Sequence, residues 1–364
     1  MKKKLLFITD RNTHGGSMKM FVWLANTMAE FYEVWYCNLS TERPFYELNT
    51  KIKFIETKHS NNDSFIYRNT IGFFQNIKAL IDIIKKQQID TIVNFADHVL
   101  YSLVIAKKLI KFKLLLSQRI DPFSCKKKAD LFRHHLYRYA DGLVCQTESA
   151  QDYFNKARYR HLKKKVIYNP SFGSTKLCWN KQEHEGYIIS LARIDLKQKR
   201  QDLLIEAMKM VHEKYPHIKL RFYGADVDAS VEKLKNMIQQ NQLEDTAFYC
   251  GVTDHVYGVL CKARMLVLTS DYEGIPNAII EAMELGLPVI STDCKPGGAR
   301  LLIDTEDKGT VVERDNSLRL AEAILYYIEH EDIAAEHGQN AKDSLSRFSE
   351  ENIALQWKNL IDEI

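Results

Sequence analysis

Two glutamates, Glu273 and Glu281, flank the turn Gly274-Ile275-Pro276 in the run LVLTSDYEGIPNAIIEAMELGLPVIS over 266–291. Carboxylates accept from hydroxyls, and a helix starting at Pro276 would present free N–H groups and a positive dipole end suited to phosphate. A sugar nucleotide carries hydroxyls on both sides of its phosphates and meets that description. Upstream, Arg193, Lys197, Lys199 and Arg200 follow an apolar run. An arginine fork and a lysine point charge there would neutralise a pyrophosphate. Near the N-terminus, Gly15 and Gly16 have no Cβ to keep backbone N–H groups from a phosphate. Two further candidates lie just past apolar runs. His98 is a candidate ligand contact or a plain capping or exposed histidine. Arg119 is a ligand for an acceptor phosphate or hydroxyl, or the partner of Asp121.

These residues need elements to position them. Met265–Leu268 has the length and branching of a strand buried on both faces. Pro276 suits a first helical position, and Ala278, Ile279, Ala282, Met283 and Gly286 recur at helical spacing to form a packing stripe. Gly286 closes that helix, and Leu287–Ile290 begins the next strand. Before it, strands are expected at Lys4–Thr9, Val34–Cys37, Ile52–Glu56, Thr91–Phe95, Lys113–Leu116, Gly142–Cys145 and Val166–Tyr168. Helices are expected at Met18–Ala29 with Ser17 as N-cap, Gly72–Lys86, Tyr101–Lys111, Asp130–Tyr139 and Glu148–Asn155. The loop Asp10–Gly16 leaves the first strand. Short apolar runs alternating with longer helical periods describe a parallel sheet flanked by helices, with ligands at the carboxyl edge. Residues 171–185 read as a polar linker that begins just after Asn169-Pro170. The rhythm then restarts at Gly186–Leu191 and continues with a helix from Asp202, strands at Lys219–Tyr223 and Ala247–Tyr249, and helices at Val231–Gln240 and His255–Ala263. Pro296-Gly297-Gly298-Ala299 opens one more helix.

Within S-D-Y-E-G-I-P-N-A-I-I-E-A-M-E-L-G-L-P-V-I, the Glu273/Glu281 pair resembles the signature of the retaining family 4 glycosyltransferases, group 1 type. Two glutamates eight apart are ordinary helix charges by themselves, and the surrounding match gives them weight. The resemblance spans nearly the whole chain. It implies an α/β chain of the GT-B fold, with two Rossmann-like doubly wound parallel-sheet domains facing a cleft. These would be 1–170 for the acceptor, 186–350 for the nucleotide sugar, and a C-terminal helix, 351–364, crossing back to the first.

By the same resemblance Arg193 and a following lysine stabilise the departing diphosphate. Lys199 is favoured over Lys197, because Lys-x-x-Asp-Leu-Leu aligns better with the family. Glu281 would hold the ribose and Glu273 the donor sugar. Ile275, Pro276 and Asn277 would line the phosphate, with Gly274 in the turn before them, and Gly251 and Val252 would hold the base. Gly15 and Gly16 match the family's glycine pair, and His98 stands near the sugar. The implied reaction moves a hexose or N-acetylhexosamine, probed first as the UDP sugar, to a lipid-linked or polysaccharide acceptor of a bacterial surface glycan. It needs no cofactor and no metal; Asp226-Val227-Asp228, a metal signature in another architecture, reads here as a helix cap. The alternatives are a sugar-nucleotide epimerase on the same fold and a non-catalytic partner subunit.

Composition sets outer bounds. A chain of 364 residues, 45% apolar and 27% charged, is an ordinary globular protein long enough for two domains. No apolar run approaches the ~20 residues of a membrane helix. Its seven cysteines, Cys125 among them, are odd in number and scattered, which points to reduced thiols and a cytoplasmic setting. Residues 1–180 hold 30 Lys and Arg against 15 Asp and Glu, about +15; residues 181–364 hold 21 against 32, about −11. The basic clusters, including Lys107-Lys108 and Lys126–Lys128, suit an anionic membrane surface or are solvated helix faces. No aromatic interleaving or known module supports a nucleic-acid partner.

Overall fold

The computed structural model describes residues 2–9, 15–39, 44–56, 71–119, 121–124, 133, 135–173 and 176–364, with the backbone alone at 71–74 and 76. Lys126–Lys128, Cys125 and the loop from Asp10 to His14 fall outside these residues, as do 130–132 and 134 of the expected Asp130–Tyr139 helix, of which 133 and 135–137 are helical.

The chain forms two units, Met1–Tyr168 with Glu351–Ile364, and Asn169–Glu350. In chain order the first contains β1 (Lys4–Thr9), α1 (Gly16–Met28), β2 (Glu33–Asn38), β3 (Lys53–Glu56), α2 (Ile71–Gln87), β4 (Thr91–Asn94), α3 (Asp97–Leu109), β5 (Lys113–Ser117), β6 (Gly142–Cys145), α4 (Glu148–Tyr153) and β7 (Lys163–Val166). Its strands pair in parallel in the order β3-β2-β1-β4-β5-β6-β7. The strand order therefore reverses between β1 and β4. Strand residues alternate between two cores: Leu6, Ile8, Ile92 and Leu114 face one, and Leu5, Phe7, Val93 and Leu115 face the other. Burial on both faces explains why these strands read as unbroken apolar runs.

The second unit contains β8 (Tyr187–Leu191), α5 (Gln201–Lys214), β9 (Leu220–Tyr223), α6 (Ser230–Gln240), β10 (Ala247–Tyr249), α7 (Val256–Cys261), β11 (Ala263–Leu268), α8 (Asn277–Leu285), β12 (Val289–Thr292), α9 (Gly298–Leu302), β13 (Thr310–Val312), α10 (Ser317–Glu329) and α11 (Glu331–Asp343). Its parallel sheet runs β10-β9-β8-β11-β12-β13, with the reversal between β8 and β11. A final helix, α12 (Glu350–Glu363), has all but its first residue in the first unit. There Trp357 stacks on Phe95 at 5.8 Å, and Tyr32 donates to Asp362 at 2.7 Å.

Several local expectations need correction. Ser17 is not an N-cap: α1 starts at Gly16, and the Gly15 carbonyl accepts from Met18 and Lys19. The helix expected from Tyr101 starts at Asp97, whose carboxylate suits a first turn, so Asp97 and His98 are helical. The strand expected at Val166–Tyr168 lies at Lys163–Val166, and Pro276 is the N-cap rather than the first helical residue. The 171–185 stretch is not a free connector. Ser171, Phe172 and Gly173 all donate to Glu284, and Trp179 donates from its indole to the Ala263 carbonyl at 2.7 Å. Glu284 is buried, and those donors and Tyr257 satisfy its oxygens.

Candidate functional site

The second unit gathers its chemistry at the carboxyl ends of β8 and β11, where the strand order reverses. The loop leaving β8 is pinned to the loop leaving β11. The Gln198 carbonyl accepts from the Asp271 amide at 2.8 Å, and the Gln198 side chain donates to the Tyr272 carbonyl at 3.1 Å. Thr269 donates to the Lys199 carbonyl at 2.7 Å. These bonds bring Lys199 Nζ onto the Glu273 carboxylate, in a pair whose side chains are only 14% and 12% exposed. Ser270 Oγ also donates to Glu273, at 2.6 Å. Behind them the Cys294 thiol is pushed up to about 12 by burial and by the neighbouring Glu273 charge, so it stays neutral.

Arg193 is exposed and is aimed by a bond from its guanidinium to Gln198 Oε1 at 3.1 Å. Lys197 is exposed as well, whereas Lys199 is the lysine held inside the site. At α8 the Pro276 carbonyl takes the Ile279 amide at 3.1 Å, so the amides of Asn277 and Ala278 precede the first intrahelical bond. Asn277 and Glu281, one turn apart, are both half-buried on this helix. Gly274 lies where only glycine fits opposite it, since a Cβ on Gly298 would stand 1.7 Å from the Gly274 carbonyl oxygen. A Cβ on Gly224 would likewise meet the Ala192 oxygen at 1.8 Å. That close approach, with the Gly224 amide donating to the Gly251 carbonyl at 2.8 Å, carries Gly251 toward the exit of β8 and leaves Val252 exposed.

Sequence reading missed Gln198, Ser270 and Arg314. Gln198 sits among the cations and has no charge to mark it. Arg314 follows β13, far along the chain, and pairs with Asp271 at 2.5 Å. The Asp226 carboxylate accepts from Val231 at 3.0 Å, next to the start of α6.

In the first unit, the reversal between β1 and β4 holds a hollow of about 260 Å³, lined by residues that include Thr9, Phe95, His98, Ser117, Gln118 and Arg119. His98 is exposed in the first turn of α3, and Gly15 precedes α1 at the end of the loop from β1. The Arg119 guanidinium lies 4.9 Å over the Phe95 ring, and burial pushes it down to about 9. The Tyr137 hydroxyl, with a single proton to donate, lies within hydrogen-bond distance of both Asp97 (2.8 Å) and Gln118 (2.7 Å), and Arg133 donates to Asp97 at 3.2 Å. Asp121 uses its carboxylate to cap the Phe123 amide at 2.9 Å. Arg119 and His98 were legible in the sequence, and the Asp97, Ser117 and Tyr137 surroundings were not.

Residues 178–344 match the family model for glycosyl transferases group 1. Over 367 residues, covering 99% of each chain, the protein is 24% identical to the GalNAc-alpha-(1->4)-GalNAc-alpha-(1->3)-diNAcBac-PP-undecaprenol alpha-1,4-N-acetyl-D-galactosaminyltransferase of Campylobacter jejuni. A shorter stretch of 166 residues, 45% of this chain and 33% of the other, is 34% identical to the poly(ribitol-phosphate) alpha-N-acetylglucosaminyltransferase of Staphylococcus aureus. Among solved structures, Anabaena HepE in complex with UDP and glucose superposes with a TM-score of 0.81 at 17% identity, covering 100% of both chains.

Proposed function

We propose that this chain, whose residues 178–344 match the group 1 glycosyl transferase model and whose fold is that of HepE, is a glycosyltransferase that moves a hexose or N-acetylhexosamine, with retention as in family 4, from a UDP sugar to a hydroxyl of a lipid-linked or polysaccharide acceptor. The observation that carries this is the convergence of Arg193, Lys199, Glu273 and the start of α8 where the second sheet reverses. Arg193 and Lys199 offset the charge that develops on the leaving diphosphate, and the amides at Ile275 to Asn277 add to it. Glu281 takes the ribose, Glu273 the sugar hydroxyls, and Gly251 with Val252 the base. From the first unit Gly15, Gly16 and His98 serve the donor and Arg119 the acceptor. No protein base is assigned: the departing phosphate takes the acceptor's proton. No metal is assigned either, since side-chain cations and a helix end fill that role.

The choice of UDP is supported by HepE, crystallised with UDP and glucose, and the acceptor class by the undecaprenol-linked and poly(ribitol-phosphate) substrates named for the two relatives. Among the described residues no helix is long and apolar enough to cross a membrane. In this reading the enzyme works in the cytoplasm on lipopolysaccharide, capsule or exopolysaccharide precursors, held to the anionic inner face by its basic first half.

Thermal melting against a panel of sugar nucleotides tests the donor site. A ligand at a hundred times its Kd adds about 2.7 kcal/mol, roughly 5–10 °C for a unit of this size. UDP and one UDP sugar should raise the wild-type melt by that order and leave Arg193→Ala and Glu281→Ala nearly unmoved. If no nucleotide moves the wild type at millimolar concentration, the donor-site reading fails.

A further inference from the structure

The described cysteines differ in access. Cys37, Cys145 and Cys294 are buried, Cys178 and Cys250 are exposed, and Cys261 is half-buried. Cys178 and Cys261 stand together: the Cys261 thiol donates to the Cys178 carbonyl at 3.0 Å. The backbone around them is held at the same place. The Trp179 indole donates to the Ala263 carbonyl at 2.7 Å, the Trp179 amide to the Leu285 carbonyl at 2.9 Å, and the Glu185 amide to the Lys262 carbonyl at 2.8 Å. Residues 178–185 therefore run alongside 261–263, which keeps the two thiols close as their side chains rotate.

The two sulfurs also differ in charge environment. The Lys342 ammonium, which has no carboxylate partner among the described residues, donates to Cys178 Sγ at 3.4 Å. A cation on an exposed sulfur favours its attack on a disulfide. Cys261 is the opposite case. Burial holds its thiol above the ordinary value, and the neighbouring Cys178 sulfur and Glu183 carboxylate add to the effect. An exposed sulfur beside a cation, with a second thiol held against its own backbone, is an arrangement in which one sulfur attacks and the other resolves.

We propose that Cys178 and Cys261 form a modification site for small-molecule disulfides such as oxidised glutathione. The Cys178 thiolate attacks one sulfur of the small disulfide and releases one glutathione thiolate, which leaves a mixed disulfide. Cys261 gives up its proton, attacks Cys178 Sγ and releases the second glutathione. Two protein thiols are oxidised, one small disulfide is reduced to two thiols, and the two protons end on the released glutathiones. The product fastens residues 171–185 to α7 by a covalent bond. Both segments hold the buried Glu284 carboxylate of α8, through residues 171–173 on one side and Tyr257 on the other. The inference does not depend on the glycosyl-transfer reading.

The test is incubation of the full chain with millimolar oxidised glutathione, followed by denaturing alkylation and peptide mass mapping. Wild type should yield a peptide pair linking Cys178 to Cys261 that dithiothreitol cleaves. Cys261→Ser should stop with glutathione on Cys178, Cys178→Ser should leave Cys261 unmodified, and Lys342→Gln should slow the first step by about threefold to tenfold. The oxidised second unit should melt about 4–12 °C higher, because the bond closes a loop containing β8, β9 and β10. Unchanged melting of the reduced variants shows that they fold; mapping of the wild type carries the test if one does not. Three results overturn the proposal: Cys250 taking up glutathione as fast as Cys178, which would make exposure the whole cause; a mixed disulfide that persists on wild-type Cys178; or a bond that leaves the melt unmoved. UDP affinity of the reduced protein, measured alongside, tests the transferase reading separately.

Discussion

Replacing Lys199 by alanine separates the structural from the ligand-binding share of the site. The substitution leaves the Glu273 carboxylate, 12% exposed, without its ammonium partner. Breaking a fully buried pair costs ~3–5 kcal/mol. The expected loss here is smaller, about 2–3 kcal/mol, because Ser270 still donates to the carboxylate at 2.6 Å. At roughly 2–4 °C per kcal/mol, the second unit should melt about 4–12 °C lower. Adding Glu273→Gln removes the orphaned charge and should restore more than half of that loss, since an amide is far cheaper to bury than a carboxylate. UDP binding should stay impaired in both variants, because the cation proposed to face the diphosphate is absent from each. Scanning calorimetry reads the first quantity and titration calorimetry with UDP the second. The reasoning is refuted if Lys199→Ala melts within about 1 °C of wild type, or if the double variant binds UDP normally.

Other consequences follow from geometry. Gly298→Ala sets a Cβ 1.7 Å from the Gly274 oxygen, so we expect more than about 4 kcal/mol of destabilisation and little soluble protein. Ending the chain at residue 350 removes Ile353, Trp357, Leu360 and Ile361 from the first unit's core. At ~1.5–3 kcal/mol per side chain the loss is about 6–12 kcal/mol, comparable with the ~5–15 kcal/mol stability of a domain, and circular dichroism should show that unit unfolded. Burial pushes the Asp362 carboxyl up, but bonds from Lys358 and Tyr32 outweigh it and hold the group below its ordinary 3.8. A carboxyl depressed in the folded state stabilises above its unfolded pKa and loses that contribution as pH falls through its folded value. Melting measured from pH 5 downward should therefore fall more steeply for wild type than for Asp362→Asn; parallel curves would exclude the linkage.

Sequence alone determined the elements and the type of chemistry. Apolar runs mark the strands because a parallel sheet buries both faces, and Gly286, at φ 79, ends α8 because that backbone needs glycine. Glu273, Arg193, Gly15-Gly16 and Arg119 are candidates from the sequence because they follow apolar strands, at the edge where an α/β sheet binds ligands, and Glu281, inside α8, because of the family match around it. Tertiary structure decided the rest. Only the family alignment separates Lys197 from Lys199 in the sequence; the Gln198 and Thr269 bonds between two loops bring Lys199 to Glu273 and leave Lys197 in solvent. Glu284 looks like any helix charge until its donors arrive from residues 171–173 and 257. Ser117 lines a hollow only because the fold sets it beside Asp97 and His98, since local sequence specifies the run of the chain but not which distant residues enclose a hollow.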